Sequence, residues 1–424
     1  MTALLAPLLP LLDAGAGAAS SSAICGRTAT PSKAELSSTT GITKTSVNVG
    51  NVSIISGPVP GLFQGAPYGA EAYFAYLNAK GGVNGRKINI SALDDGFSGT
   101  QNQALTKQIA ANDFAMVGSF SLFDNYGCSV LAQNPAVPDV SVSLDATTNA
   151  LPNVFSPQPV AQGAPLAGYL YLKKKYPSSV THVAALVSNV QTALAQFAGQ
   201  KAAMQHAGYK FVYVREVSPF ESNFTTDVVN MRNAGVKFVL MTAGDWNVFA
   251  ALSAAMAKQN FHPQVVMSTG PIYDPHYIPG AGTSAVNGQW LIQDLALYLG
   301  QDSKSVPAVG TFNTWLQKVH PGAKADLFTV FGWASAQLFA QALKAAGPNP
   351  TRGSVLAQLH KITSFSASGL VAPANPAKKI PPNCVLFAKI SNGQFGRVDP
   401  TPKSGWDCSQ PYYSIHGVMP KVNP

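Results

Sequence analysis

The sequence predicts an α/β protein made of two doubly wound lobes, each with a parallel sheet. The chain has 424 residues, which is enough for two or three domains with cores of their own. Strand-like and helix-like segments alternate along it in two successive series, a pattern typical of parallel sheets covered by helices. A proline-rich stretch at 151–159 separates the two series and is the natural crossing between the lobes.

The first series contains short runs rich in β-branched residues. The predicted strands are 47–55, 87–93, 115–117 and 140–142, and the predicted helices lie near 65–80, 100–112 and 122–133. The first of these helices is followed by Gly81 and Gly82, which suit the left-handed conformation after a helix end. This order predicts right-handed βαβ units on one parallel sheet.

The second series repeats the pattern. Its predicted strands are 182–187, 210–215, 237–241 and 264–267, and its predicted helices lie near 161–175, 191–207, 223–234 and 245–259. A further helix is predicted at 325–346, because Phe331, Ala334, Leu338 and Ala342 recur at helical spacing. We expect that helix to pack on a core.

The composition argues against a nucleic-acid partner. Hydrophobic residues make up 46% of the chain and charged residues 11%, which predicts a compact soluble protein. The net charge is +9, but the 28 Lys and Arg residues are scattered over the whole length. Nucleic-acid binding usually needs a basic stripe or patch, and the sequence has none.

The first 45 residues are predicted to be an export signal and a linker. Residues 3–12 form an apolar run followed by small residues, and this run is too short to span a membrane. We therefore expect an extracytoplasmic protein that is secreted, periplasmic or held in the cell wall. A lipid anchor at Cys25 is not favoured, because Ile24 stands where a small residue is usual.

The even number of cysteines, 4, fits disulfide bonds outside the cytoplasm. Cys384 and Cys408 bracket a strand-turn-strand pattern whose 392–393 Asn-Gly pair suits a tight hairpin turn. This predicts a Cys384–Cys408 bond. Cys25 and Cys128 then either form the second bond or remain free thiols.

The chain lacks the common catalytic and metal-binding motifs. It has no G-x-S-x-G elbow, no Walker loop, no G-x-G-x-x-G after the first strand and no His pair at metal-ligand spacing. Asp94 and Asp95 are adjacent in a strand and point to opposite faces, so a turn role is expected rather than acid-base catalysis. The sequence therefore predicts no catalytic residue, no metal and no cofactor.

Candidate ligand-binding residues follow the ends of the predicted strands, where open α/β sheets bind ligands. They are Ser119, Phe120, Ser121, Asp124, Ser143, Leu144, Asp145, Asn189, Asp245, Trp246 and Tyr273. Hydroxyls, backbone amides and aromatic rings with few charges suit a small, partly apolar solute. The alternative for Ser119, Ser143 and Asp245 is that they only cap helices.

The most distinctive segment is 56–95, which contains LNAKGGVNGRKINI and then an Asp-Asp pair at the end of a strand. It resembles the periplasmic binding proteins of the leucine, isoleucine and valine type, which supply ABC importers. The resemblance spans about 47–398. It implies the type I fold of that family, with two lobes joined by three crossings, here near 151–158, 286–293 and 370–382. It also implies a monomer that closes over a small molecule and delivers it to an ABC permease.

The resemblance also suggests domain limits and a changed ligand. It places 46–156 and 291–378 in the first lobe, and 157–290 and 379–424 in the second. Hydroxyls such as Ser119, Ser121 and Ser143 would hold an amino-acid carboxylate, but the acid expected near Gly270 for the ammonium group is missing. Either Asp245 or Asp274 could replace it, or the ligand is an aromatic or aliphatic carboxylate, an amide or another neutral solute.

Other functions remain open from the sequence. The same two lobes could sense a ligand for a separate membrane receptor. An enzyme on this fold would turn the bound compound over, and a structural cell-surface protein would have no cleft.

Overall fold

The computed structural model describes residues 25–59, 61–400 and 405–422. The predicted export signal at 3–12 lies outside these residues. Residues 25–45, predicted as a linker, instead fold onto the first lobe. Helix α1 (Lys33–Leu36) begins with a capping box between Ser32 and Glu35, and the Arg352 amide donates to the Ser38 carbonyl at 3.0 Å.

The next 110 residues or so form the first parallel sheet and its helices. The elements are β1 (Ser46–Ser53), α2 (Gly65–Ala79), β2 (Lys87–Asp94), α3 (Gly99–Asn112), β3 (Ala115–Val117), α4 (Asp124–Gln133), β4 (Asp139–Val140), α5 (Ala146–Ala150) and β5 (Val154–Phe155). The strand order is β2-β1-β3-β4-β5, and all pairings are parallel. Asp94 holds the turn after β2, since its carboxylate accepts from the amides of Ile55, Ser56 and Gly96 at 2.9–3.1 Å.

The chain then enters the second lobe. Its elements are β6 (Gly163–Pro165), α6 (Leu166–Lys175), β7 (Val183–Ser188), α7 (Gln191–His206), β8 (Phe211–Val217), α8 (Thr225–Asn233), β9 (Phe238–Met241), α9 (Trp246–Lys258), β10 (Val265–Ser268), a 3-10 turn (Gly270–Ile272), α10 (Tyr277–Ala281), α11 (Thr283–Val286) and β11 (Trp290–Gln293). The second series predicted from the sequence is therefore present, with boundaries shifted by a few residues.

The chain returns to the first lobe as α12 (Pro307–Val319), α13 (Leu327–Ala345), α14 (Arg352–Leu359) and a 3-10 turn (Ala367–Gly369). Helix α13 is the helix predicted at 325–346, and Asp326 caps its first turn by accepting from the Thr329 amide at 2.7 Å. It packs closely against α2. A Cβ on Gly332 would lie 1.9 Å from the Ala66 carbonyl oxygen, so glycine is required at this contact.

The last elements complete the second lobe. They are β12 (Leu386–Ser391), β13 (Gln394–Asp399), β14 (Tyr412–Ser414) and β15 (Gly417–Val418). The seven-stranded sheet has the order β13-β12-β11-β10-β9-β7-β8, in which β12 and β13 are antiparallel to their neighbours. The predicted hairpin is present, with positive φ at Asn392 and Gly393. The α/β class with two lobes is thus confirmed.

Two predicted segments differ from the structure. The second crossing was expected at 286–293, but residues 290–293 pair with β10 and β12, so the chain leaves the second sheet only after Gln293. The helix predicted from 161 begins at Leu166, because Gly163–Pro165 pair with Tyr412–Ser414. Both differences come from partners distant in sequence, which a local pattern does not report.

Both disulfide bonds form, Cys384–Cys408 and Cys25–Cys128. Of the two outcomes left open for the second pair, the structure has the bonded one. The Cys25 sulfur is therefore not available for a lipid. Among the described residues, no helix is long and apolar enough to cross a membrane.

Candidate ligand-binding cavity

A cavity of about 350 Å³ lies between the two lobes, next to the carboxyl ends of the central strands. Its size is within the ordinary range for small-molecule sites. The first lobe contributes Leu62, Phe63, Phe120, Leu144, Phe328 and Phe331, and the second contributes Val190, Phe220, Met267, Ile292 and Val385. The wall is therefore largely apolar on both sides.

The first-lobe wall is an aromatic cluster held by the loop after β3 and the first turns of α13. The Phe63 ring lies 4.8 Å from Phe120 and 4.5 Å from Phe328, and the Phe331 ring stacks on Phe120 at 5.9 Å. Rings at these separations fix one another in edge or offset contacts. The cluster offers an apolar surface that is already in place before a ligand binds.

Several polar groups of the second-lobe wall are paired within the protein. Gln200 donates to the Tyr169 hydroxyl oxygen at 2.9 Å and accepts from the Thr242 hydroxyl. The Tyr412 hydroxyl donates to the Ala161 carbonyl at 2.7 Å. These groups shape the wall without requiring a ligand as partner.

Two glutamines near the crossings each have a side-chain oxygen that is not paired within the described structure. Gln158 and Gln293 are 4% and 3% exposed, and both line the cavity. Their amide nitrogens donate to backbone carbonyls, that of Gln158 to Ala372 at 2.9 Å and that of Gln293 to Leu295 at 2.9 Å. The Oε1 atom of each has no hydrogen-bond partner in the described structure. Each glutamine thus leaves one buried acceptor unpaired at the cavity.

The charged groups of the wall are acidic. Asp245 and Asp294 line the cavity, whereas none of the described residues that line it is Lys, Arg or His. Burial raises the pKa of Asp294 to about 6. Burial also raises the pKa of Asp245 to about 7, and the carboxyls of Asp274 and Asp326 add to this effect.

Three donors that follow β4 are already occupied by Asp124. Its Oδ2 accepts from the Ser143 hydroxyl at 2.7 Å, from the Leu144 amide at 2.5 Å and from the Asp145 amide at 3.1 Å. Burial raises the pKa of this carboxyl to about 6. An internal carboxylate therefore occupies Ser143, one of the three hydroxyls that the resemblance would assign to a ligand carboxylate.

Three of the residues predicted from strand ends lie in the cavity wall: Phe120, Leu144 and Asp245. Asp245 stands at the N-cap of α9, but its side chain makes no capping bond there. The only interaction of its carboxyl with the helix end among the described residues is with the Trp246 backbone amide, which lowers its pKa and only partly offsets burial.

Four predicted residues of the first lobe line a separate cavity of only about 20 Å³ inside that lobe: Ser119, Ser121, Asp124 and Ser143. The Ser119 hydroxyl accepts from the Val52 amide at 2.9 Å, and the Ser121 hydroxyl donates to Asp95 at 2.6 Å. These hydroxyls point into the lobe because they pair with β1 and with the turn after β2.

The other four predicted residues also lie away from the large cavity. Asp145 caps α5 by accepting from the Thr148 amide at 2.8 Å. Asn189 is exposed, and the Trp246 ring lies 5.4 Å from that of His276. Tyr273 is a core residue with no exposed surface, packed against the Tyr298 ring at 4.7 Å.

Gln158, Gln293 and Asp294 were not among the predicted residues. Gln158 lies in the proline-rich stretch, which was predicted as a crossing. Gln293 is the last residue of the segment predicted as the second crossing, and Asp294 follows it directly. The available signal was a Gln within each of the first two predicted crossings. Sequence reasoning that looked only at strand ends passed over it.

The lobes also meet on the side of the cleft away from the crossings. The Phe97 ring of the first lobe lies 5.8 Å from Phe220 of the second, and the Thr192 hydroxyl is 3.5 Å from the Leu122 carbonyl oxygen. The two lobes are therefore in direct contact outside the crossings.

Comparison with known proteins gives a consistent family. A family model described as periplasmic binding protein matches residues 46–394. The Leu/Ile/Val-binding protein homolog 3 of Brucella melitensis is 22% identical over 322 residues, 74% of this chain and 83% of that protein.

Two solved structures show the same fold. An extracellular ligand-binding receptor from Verminephrobacter eiseniae has a TM-score of 0.72 at 18% identity, with 83% of this chain and 100% of that chain covered. A fatty acid ABC transporter substrate-binding protein from Thermomonospora curvata has a TM-score of 0.71 at 17% identity, with 85% and 92% covered. With the family model covering most of its length, this chain belongs to the periplasmic binding protein family.

Proposed function

We propose that this protein works outside the cytoplasm as the solute-binding subunit of an ABC importer. It captures a small, largely apolar molecule between its lobes and delivers it to a membrane permease, without chemically changing it. The observation that carries the proposal is the 350 Å³ cavity, whose apolar wall is drawn from both lobes. A ligand that contacts both walls stabilises the closed form, because it binds that form better than the open one.

The names of similar proteins support an apolar cargo. The Thermomonospora curvata protein is named for fatty acids, and the Brucella melitensis protein for branched-chain amino acids. The aromatic cluster on the first lobe suits a hydrocarbon chain or ring. The ligand class that the sequence resemblance leaves open therefore includes apolar amino acids, aromatic compounds and aliphatic chains.

The test is a thermal-shift screen of the purified chain against apolar amino acids, aromatic acids, amines, alcohols and short fatty acids, with calorimetry on each hit. A ligand that binds only the native state raises the melting temperature by mass action. The variant Ala193→Phe places a ring in the cavity wall on α7, and Ala198→Phe places the same ring on the exposed face of that helix.

We expect Ala193→Phe to lower the affinity of each hit by at least about tenfold, equivalent to about 1.4 kcal/mol, and Ala198→Phe to leave it near wild type. Uptake of the labelled hit should also fall in cells that lack the protein. If no compound shifts the melting temperature, or if a hit is converted to product, the proposal is wrong.

A further inference from the structure

The cavity contains hydrogen-bond acceptors that the protein does not pair. The Oε1 atoms of Gln158 and Gln293 are buried and without partners, although both side chains line the cavity. A buried polar atom without a partner is unfavourable, so such atoms in native proteins usually have a ligand or solvent partner. The cavity therefore favours a ligand that brings donors.

The orientation of both amides is fixed by the backbone. An amide oxygen cannot replace the nitrogen where the partner is a carbonyl, because the contact requires a donor. Gln158 donates to the Ala372 carbonyl, and Gln293 donates to the Leu295 carbonyl at 2.9 Å and to that of Ala296 at 3.4 Å. Rotating either amide would break these bonds, so in both side chains the end left unpaired within the described structure is the oxygen.

Asp294 adds an acidic group at the same crossings. The Ala372 amide donates to the Asp294 carbonyl at 2.6 Å, and the Ala372 carbonyl accepts from Gln158, so both residues are joined to the third crossing at one point. Asp294 follows Gln293 directly at the end of β11. Among the residues that line the cavity at the crossings, two thus carry an unpaired amide oxygen and one carries a carboxyl.

The rest of the described cavity wall has no charged donor for an anionic ligand. The described residues of its wall include no Lys, Arg or His. The amides of Leu144 and Asp145, together with the Ser143 hydroxyl, are taken by Asp124. A ligand carboxylate would therefore enter a largely apolar cavity that contains acidic side chains and, among the described residues of its wall, no cationic partner.

We propose that the ligand is an apolar amine whose ammonium group binds at Gln158, Gln293 and Asp294 while its hydrocarbon part contacts the phenylalanine cluster. An ammonium group has donors for several acceptors and no acceptor of its own, which matches this end of the cavity. A bond between an ammonium and a carboxylate is stronger than one between neutral groups. This inference rests on the proposed function and narrows its ligand class.

The first test compares four probes that share a phenyl ring: 2-phenylethylamine, phenylalanine, 3-phenylpropanoate and 2-phenylethanol. Calorimetry on the wild-type chain at pH 7.5 should give the amine the highest affinity, at least about tenfold above the carboxylate and the alcohol. Phenylalanine should bind more weakly than the amine, because its carboxylate finds no cationic partner in the described wall. This ranking requires no variant to fold.

The second test compares two isosteric changes of acids in the same wall, Asp294→Asn and Asp245→Asn. We expect Asp294→Asn to lower the affinity for the amine by at least about tenfold and to change the affinity for the alcohol by less than about threefold. A loss confined to Asp245→Asn would overturn the placement of the ammonium group.

The remaining outcomes separate the two proposals. If the carboxylate or phenylalanine binds most tightly, or the alcohol equals the amine, the amine inference is overturned while the proposed function stands. If none of the four probes binds but another apolar compound does, the amine inference is again overturned. If no apolar compound binds at all, both proposals are wrong.

Discussion

The Asp124 carboxylate is bound by the chain itself. Three donors converge on its Oδ2, two of them backbone amides that follow β4. The contact joins the start of α4 to the end of β4 and leaves Oδ1 buried without a partner. Asp124 therefore stabilises the first-lobe edge of the cleft and at the same time removes its anion-binding donors.

Replacing Asp124 tests the structural part of this role. We expect Asp124→Ala to lower the free energy of unfolding by about 1–3 kcal/mol, because the Leu144 and Asp145 amides lose their acceptor. Asp124→Asn keeps one carbonyl oxygen for these amides and should cost less than the alanine variant. Urea unfolding at pH 7.5 measures both values. Wild-type stability of Asp124→Ala would contradict this role.

The sequence predicts that Asp124 lies near the ligand edge of the sheet, but not which way its side chain points. A polar residue after a parallel strand lies near the ligand edge of the sheet, which places Asp124, Ser119 and Ser143 correctly along the chain. Whether the side chain turns outward or into the lobe depends on partners some 20 residues away. The hydrogen bonds between the start of α4 and the residues after β4 set this direction, and a local sequence pattern does not report them.

Helices α2 and α13 form the tightest contact between elements of the first lobe. A Cβ on Gly69 would lie 1.9 Å from the Thr329 carbonyl oxygen, and one on Gly332 equally close to that of Ala66. Each helix backbone thus lies against a glycine of the other. Because α13 also carries Phe328 and Phe331, this contact sets the position of the cavity's aromatic wall.

A pair of glycine substitutions tests this helix contact. Gly332→Ala should lower the free energy of unfolding by about 1–3 kcal/mol, because a methyl group against a backbone carbonyl forces the helices apart. Gly310→Ala in α12 is the matched control, since a Cβ there meets no atom within 4 Å. It should stabilise the protein by about 0.4–1 kcal/mol. Thermal and urea unfolding of both variants would contradict the argument if the two changes had the same sign.

Element prediction succeeded where the signal was local. Helix α13 and the β12–β13 hairpin lie where spacing and turn residues predict them. The short strands β6 and β14 were missed because each has three residues and pairs with a segment about 250 residues away. Strand β11 was taken as a crossing for the same reason, since its place in the sheet depends on β10 and the distant β12.

At the scale of the whole molecule, the cavity forms where the two lobes meet. Its wall combines the loop after β3, the start of α13, the ends of the second sheet and the crossings. The sequence predicts each lobe and the edge of the sheet that faces the cleft. It does not predict which crossing residues face inward, because that depends on how the two lobes meet.

The lobes also bury an unusual set of acids. Burial raises the pKa of Asp139 and Asp245 to about 7, and that of Asp124, Asp294 and Asp326 to about 6. Asp94 is the opposite case: although burial raises its pKa, hydrogen bonds from Ser56 and nearby amides outweigh burial and lower it to about 2. His360 has the opposite effect on the pH dependence of stability from the five raised carboxyls, because burial lowers its pKa.

These shifts predict that the protein without ligand is more stable at pH 5 than at pH 7.5. Between about pH 4 and pH 7 the folded state holds protons on the five raised carboxyls that the unfolded chain has released, so stability increases as the pH falls through this window. Below about pH 4 this gain is complete, and the contribution of Asp94 is then lost as the pH approaches 2. We expect the melting temperature to rise by about 3 °C or more between pH 7.5 and pH 5.

The variant Asp326→Asn keeps a good helix cap but does not titrate, so its melting temperature should rise less than that of the wild type. The prediction is wrong if the melting temperature falls between pH 7.5 and pH 5, or if the Asp326→Asn profile is identical to that of the wild type. Either result would mean that ionising these buried carboxyls does not destabilise the folded protein.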